Sequence, residues 1–211
     1  MILQGPSGLA AIATAWALYG ALHSLLASRA IKAGVRRHLP GLWARYRLLY
    51  NLFATLALIP PLWLTFTWEG PWLWRWTGAW GWLANGLAAL ALIGFWIASK
   101  AYDMPTFLGL RPEPEQPRLG LSPLHRYVRH PWYSLGLVIL WTRDMHAGLL
   151  VTALVLTLYL LLGSRLEERR LEAELGRAYA DYRRRVPGLL PWPGRVLPRA
   201  DYDRLRGSRR G

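Results

Sequence analysis

The chain has 211 residues, 53% of them hydrophobic and 13 of them tryptophan, yet its formal net charge is +14. That combination excludes an ordinary soluble domain and a disordered tail, and it fits apolar spans joined by basic loops. There is no cysteine, which removes disulfides, thiolate metal sites and a cysteine nucleophile together.

Three uncharged stretches, at about 9–27, 48–66 and 80–99, reach the ~20 helical residues that cross a bilayer. No basic residue precedes the first, and no small-residue cleavage site ends it, so it is expected to stay as a span and not to be removed as a signal. A proline-rich connector from Arg111 to Pro117 separates the third stretch from two more apolar runs, 133–142 and 148–164. The first of these is only ~15 Å long as a helix. Pro131 can open it, because the N–H that proline lacks is not needed in a first turn. Together the two runs read as a helical hairpin turning at Arg143-Asp144-Met145-His146. The expected fold is therefore an all-α integral membrane protein of about five transmembrane helices, the last two a hairpin, with a helical C-terminal tail. As one membrane domain it divides into three spans (1–99), a connector, hairpin and C-terminal module (100–191), and a basic tail (192–211).

Lysine and arginine set the orientation. The loop at 28–47 holds six, the loop at 100–130 five and the chain from Arg165 thirteen, while Arg75 and Arg143 alone fall on the other side. This places the N-terminus outside and the C-terminus in the cytoplasm. Among the basic residues only Lys32 and Lys100 are lysines, a bias of GC-rich bacterial genomes, and a bacterial inner membrane is expected. The charges follow the alternation of spans and the attraction of anionic lipid, so no nucleic-acid partner is expected. The tryptophans at 68, 72, 74, 76, 80 and 82 read as an outer aromatic belt. Asn51 and Asn85 read as interhelical hydrogen-bond partners, and Asp103 as a helix-end charge. His23, ionisable and inside the first span, is a candidate for a substrate end.

Polar side chains concentrate at the cytoplasmic ends of the hairpin. Upstream runs Leu119-Gly120 through His125, then Arg129-His130-Pro131-Trp132-Tyr133; downstream come Glu167-Glu168, Tyr179 and Tyr182. A hairpin brings the two segments to one face. Trp132, Tyr133 and Tyr127 can stack on a heterocycle or face a cation, Glu167 can pair with an ammonium, and the backbone at Leu119 and Gly120 can meet adenine or ribose edges. S-adenosylmethionine carries all of these groups. No metal site and no phosphate-binding glycine loop are seen. An alcohol or amine acceptor would need a base, for which His125 and His130 are candidates; a thiolate or carboxylate would not. Taken alone, each half has a plainer reading: a basic flank opened by proline, and a solvated helix end in which Arg165, Arg169 and Arg170 pair with the two glutamates.

As a spaced pair the halves are more specific. Arg129-His130-Pro131-Trp132-Tyr133, followed by Glu167-Glu168, Leu171, Leu175-Gly176, Tyr179, Tyr182 and Val186-Pro187, resembles the isoprenylcysteine carboxyl methyltransferase family over residues 117–191. His23-Ser24, Tyr46-Arg47 with Tyr50-Asn51, and Phe107-Leu108-Gly109-Leu110-Arg111 resemble the bacterial methanethiol S-methyltransferase branch of that superfamily. The resemblance implies a membrane methyltransferase holding S-adenosylmethionine at Pro117, Arg118, Leu119, Gly120, His125, His130, Pro131, Trp132, Tyr133 and Glu167. Its acceptor would be hydrophobic or membrane-partitioning: a small thiol, a lipid or an isoprenylcysteine carboxylate. The chain departs from the family pattern at His125, commonly tyrosine, at Leu175, commonly phenylalanine, and at Gly163, where the prenylcysteine enzymes carry a substrate-gripping arginine. Sterol reductases with a nicotinamide cofactor resemble the same module, and a non-catalytic membrane scaffold is the remaining alternative.

Overall fold

The computed structural model describes residues 5–112 and 120–207. In chain order these form α1 (Gly5–Ala27), α2 (Arg29–His38), α3 (Pro40–Trp43), α4 (Tyr46–Ala57), α5 (Ile59–Thr67), β1 (Trp72–Trp74), α6 (Gly78–Ser99) and α7 (Met104–Leu108). A 3-10 turn (Pro123–Arg126), α8 (Pro131–Trp141), β2 (Met145–His146), α9 (Ala147–Leu175), α10 (Arg177–Arg185) and α11 (Arg199–Gly207) follow. Four helical segments among the described residues are long and apolar enough to cross a membrane: Gly5–Ala27, Tyr46–Thr67, Gly78–Ser99 and Ala147–Leu175. The fifth apolar helix, α8, has 11 residues, ~16 Å of helix.

Several elements differ from the sequence expectation, each for a local reason. The second span is divided at Leu58, because neither Pro60 nor Pro61 can donate a helical hydrogen bond. The basic loop at 28–47 contains α2, capped by the Ser28 hydroxyl, which accepts the Ile31 N–H at 3.3 Å. No long apolar run announces this helix, since basic residues interrupt it throughout. α9 is one helix of 29 residues, ~43 Å long and well beyond a ~30 Å hydrocarbon core. It carries Glu167 and Glu168 past its own apolar part. The hairpin turn contains β2, which pairs antiparallel with β1 and sets Trp72 opposite His146 and Trp74 opposite Met145. Trp68 stacks on the His146 ring at 5.7 Å and is only 9% exposed. It is thus internal, whereas Trp80 and Trp82 stay exposed as a belt requires.

The chain divides into two compact units. The first comprises 1–75, 103–115 and 144–156. Its helix α1 buries Gly8, Ile12, Trp16 and Gly20, a stripe at every fourth residue. The Trp16 indole N–H is shared between the hydroxyls of Thr65 (3.1 Å) and Thr152 (3.0 Å), which lie 2.8 Å from each other. At membrane depth such groups have no water to bond, so they find one another. The upstream family-like residues also meet in this unit. Tyr50 Oη lies 2.7 Å from His23 Nε2, and the Tyr46 hydroxyl donates to the Leu26 carbonyl. Arg47 Nε and Asn51 Nδ2 both donate to the Phe107 carbonyl at 3.0 Å. Gly109 (φ +82°) lies so close to the α4 backbone that a Cβ would fall 2.4 Å from Leu48 N.

The second unit comprises 76–102, 116–143 and 157–211. α6 presents a buried small-residue stripe of Ala84, Ala88, Ala91, Gly94 and Ala98. α8 packs closely along it: a Cβ on Gly94 would fall 2.7 Å from Leu135 Cδ2. At the far end of α8, Arg143 Nη1 donates to Asn85 Oδ1 at 3.1 Å. Leu121, Tyr179, Tyr182, Val186, Leu197 and Tyr202 form a separate apolar cluster. Residues 192–207, expected as a basic tail, are thus folded back where Leu197 and Tyr202 are buried.

Candidate active site

Every described residue expected at the site belongs to the second unit. The segment before α8 is shaped by its smallest residues. At Gly120 a Cβ would fall 2.6 Å from the Ala101 carbonyl oxygen, so only glycine allows this approach. Ser122 caps the 3-10 turn and forms a reciprocal box with His125, whose Nδ1 lies 3.0 Å from the Ser122 N–H and 2.9 Å from its hydroxyl. The backbone continues through Arg129 and His130, and α8 starts at Pro131 as the sequence requires. Pro117, Arg118 and Leu119 lie outside the described residues.

Arg129 ties this segment to the end of α9 and the chain beyond α10. Its backbone N–H donates to the carbonyls of Pro187 and Gly188, and the His130 N–H also reaches Gly188. The Arg129 guanidinium donates to Glu168 Oε1 from Nε (2.8 Å) and Nη2 (2.5 Å), and Nη1 donates to the Arg183 and Val186 carbonyls. Glu168 receives His130 Nε2 on the same oxygen at 3.0 Å, and Arg183 Nε approaches its other oxygen at 3.3 Å. The Glu168 side chain is 6% exposed. Of the arginines expected to lace the helix end locally, Arg170 pairs with Glu174; Glu168 is held by residues distant in sequence.

Glu167 behaves differently. Its side chain is 45% exposed; Oε2 accepts from the Tyr133 hydroxyl at 3.1 Å and faces His130 Nδ1 at 3.5 Å. The His130 and Tyr133 rings stack nearly parallel, 7° apart with centroids at 5.3 Å. Trp132 lies against Tyr102 at 5.0 Å and Phe95 at 6.2 Å. His130, Pro131, Tyr133 and Glu167 are therefore gathered around one helix junction, as the hairpin reading required.

The two histidines are pushed apart in acidity. Burial is the main influence on His125 and lowers its pKa to about 4, with repulsion from His130 adding to it. Burial would lower His130 as well, but the Glu167 and Glu168 carboxylates outweigh it and raise His130 above the ordinary histidine value. Burial and nearby Glu168 push the Tyr179 hydroxyl up to about 12, so it stays protonated. Sequence reasoning did not single out Ser122, Arg183 or Tyr202, and it placed Glu168 beside Glu167 in the motif without naming the groups that hold it. The Arg129-His130 dipeptide carried the signal for Glu168, since two buried cations call for a buried carboxylate. Nothing local marks the others.

No protein-family profile matches the chain, and no solved structure does. Among curated proteins, it is 34% identical over 209 residues to methanethiol S-methyltransferase 2 of Bradyrhizobium diazoefficiens, covering 91% of this chain and 75% of that one. It is 32% identical over 190 residues to a methanethiol S-methyltransferase of Pseudomonas sp., with 82% and 70% covered. A methanethiol S-methyltransferase of Crocosphaera subtropica is 31% identical over 190 residues, with 84% and 72% covered.

Proposed function

Because the chain belongs to the methanethiol S-methyltransferase family, we propose that it is a membrane methyltransferase that moves a methyl group from S-adenosylmethionine to a small thiol. The cofactor site is the junction of α8 and α9, with Gly120, His125, His130, Pro131, Trp132, Tyr133 and Glu167 around it; the resemblance adds Pro117, Arg118 and Leu119 as cofactor contacts. The observation that carries this reading is the division of labour between adjacent carboxylates. Glu168 is fully engaged inside the protein, whereas Glu167 presents an exposed carboxylate beside the stacked His130 and Tyr133 rings. An anionic group next to aromatic faces fits a ligand carrying an ammonium and a sulfonium. When bound, the cofactor supplies an electrophilic methyl carbon. The protein's part is to hold that carbon in line with the acceptor and to exclude water.

A small thiol is preferred over an isoprenylcysteine carboxylate on two grounds: the relatives named above act on methanethiol by name, and Gly163 offers no guanidinium to grip a carboxylate. We place the protein in the bacterial inner membrane with the N-terminus outside and the site cytoplasmic, from the distribution of basic residues. In that orientation α8 and α9 cross as a hairpin and complete five helices.

Calorimetry of the purified protein with S-adenosylhomocysteine, paired with headspace detection of the methylated thiol, tests the reading. Saturable binding and thioether formation are expected. No binding at millimolar ligand overturns it, and tight binding of a reduced nicotinamide cofactor would point to a reductase.

A further inference from the structure

The hydrogen bonds around His125 and His130 define where their protons are. A backbone N–H can only donate, and the Ser122 N–H meets His125 Nδ1 at 3.0 Å. Nδ1 is therefore the acceptor, and the proton of a neutral ring sits on Nε2. Ser122 is 1% exposed and His125 6%, and the buried Tyr182 hydroxyl donates to the His125 carbonyl at 2.7 Å. The segment is held on both sides in that arrangement. His130 has the opposite surroundings: Glu168 Oε1 faces Nε2 at 3.0 Å and Glu167 Oε2 faces Nδ1 at 3.5 Å. Carboxylates only accept, so Nε2 is a donor, and the Glu167 charge beside Nδ1 favours a second proton there, which makes the ring an imidazolium. Arg129 and Arg183 share the charge of Glu168, and the neutral Tyr133 ring covers one face of the imidazole.

We infer that neither imidazole of this site is a base: Ser122 is a positioning residue that fixes His125 as an Nε2–H donor toward the bound ligand, and the acceptor is methylated as a thiolate that arrives already deprotonated. The inference rests on the methyltransferase reading for the identity of the ligand, but the proton positions stand without it. In the transfer, the thiolate sulfur forms the new S–C bond while the methyl–sulfonium bond breaks and leaves its electron pair on the departing sulfur. Both products are neutral thioethers, and no proton is transferred. An amine or alcohol would have to lose a proton that neither ring can accept. The low pKa of His125 and the raised one of His130 agree with these roles, the first set mainly by burial and the second by Glu167 and Glu168 overcoming burial.

Nitrogen-15 NMR of histidine-labelled full-length protein in detergent reads the proton positions directly, with His125→Gln used to assign the signal. The expected result is a neutral Nε2–H ring at His125 from pH 5.5 to 8 and a doubly protonated ring at His130 at the acid end of that range. A protonated Nδ1 at His125, or a titration near its ordinary value, overturns the assignment. Kinetics supply the second arm. The pH dependence of kcat/KM should break at the acceptor's own thiol pKa and move when an alkanethiol is replaced by a more acidic aromatic thiol. A break that stays in place for both thiols overturns the absence of a histidine base. His125→Phe should lose about tenfold or more in affinity for S-adenosylhomocysteine, and His125→Gln, which keeps an N–H donor, should recover most of that loss. Equal collapse of turnover in both variants, with binding intact, would restore His125 as a base. Should the parent protein bind no S-adenosylhomocysteine, the functional reading falls, and the NMR result still decides the proton positions.

Discussion

The Arg129 guanidinium and the Glu168 carboxylate, 39 residues apart, form an ion pair with Nη2 2.5 Å from Oε1 and side chains only 10% and 6% exposed. Arg129 also holds the carbonyls of Arg183 and Val186, so the pair joins the start of α8, the end of α9 and the chain after α10. Removing one member leaves the other charged and buried. Glu168→Ala should therefore destabilise the protein by about 3–5 kcal/mol, read as a lower unfolding midpoint in detergent. A change near zero would mean that water reaches the guanidinium and the pair is not structural.

The neighbouring carboxylate should behave in the opposite way. Glu167→Gln removes an exposed charge and is expected to change stability by less than about 1 kcal/mol. Affinity for S-adenosylhomocysteine, measured by calorimetry, should fall about tenfold or more, the loss of one charge-assisted contact. Unchanged affinity would return Glu167 to a helix-end charge.

Stability should depend on pH through both histidines, with opposite signs. The folded pKa of His125 is about 4 against an unfolded value of 6.5. Between these values the unfolded chain binds more protons, so stability rises with pH across that window and is lost on acidification. His130 is raised in the folded state, so its contribution is complete below the unfolded value and declines as pH climbs through the folded one. Unfolding midpoints recorded across pH should lose their acid limb in His125→Gln and their alkaline decline in His130→Gln. Parallel curves for all three proteins would contradict both shifts.

The C-terminal segment holds the candidate site from outside the family-like motif. The Tyr202 hydroxyl donates to the Leu121 carbonyl at 3.0 Å, and Arg126 and Leu197 exchange two hydrogen bonds at 2.9 Å. Tyr202→Phe leaves a buried carbonyl without its donor and should cost about 1–2 kcal/mol. Ending the chain after Gly194 should speed hydrogen exchange across 121–128 while leaving α6 protected. Unchanged exchange in 121–128 would mean that the tail only packs against a segment already rigid.

Gly109 makes a prediction for the first unit. Its φ of +82° is left-handed, and a Cβ there would fall 2.4 Å from Leu48 N. Gly109→Ala combines an unfavourable backbone region, about 1–2 kcal/mol, with overpacking of a further ~1–3 kcal/mol. It should lower the unfolding midpoint and loosen the Phe107 carbonyl from Arg47 and Asn51, visible as faster exchange in α7. Tolerance without a shift would show that α7 moves away at no cost.

Much of this architecture is local information, which is why the sequence alone carried it. Apolar runs of bilayer length mark three spans, proline at 131 marks the start of α8, and the two-part motif marks which segments meet. Amphipathic α2 and the division at Leu58 were less legible, because a hydropathy window averages over a short basic helix and over a pair of prolines. Partners within the protein were not legible, although the motif resemblance marked Glu167 as the cofactor carboxylate. Adjacent glutamates at 167 and 168 are chemically alike, and only the fold turns Glu168 onto Arg129 and His130 while leaving Glu167 exposed. The His125 proton is likewise set by the direction of one buried N–H, and Trp16 finds Thr65 and Thr152 across 49 and 136 residues. Hydropathy and charge vary along the chain and can be read along it. Hydrogen bonds require two groups within about 3 Å, and for groups far apart in sequence that distance exists only once the helices have packed.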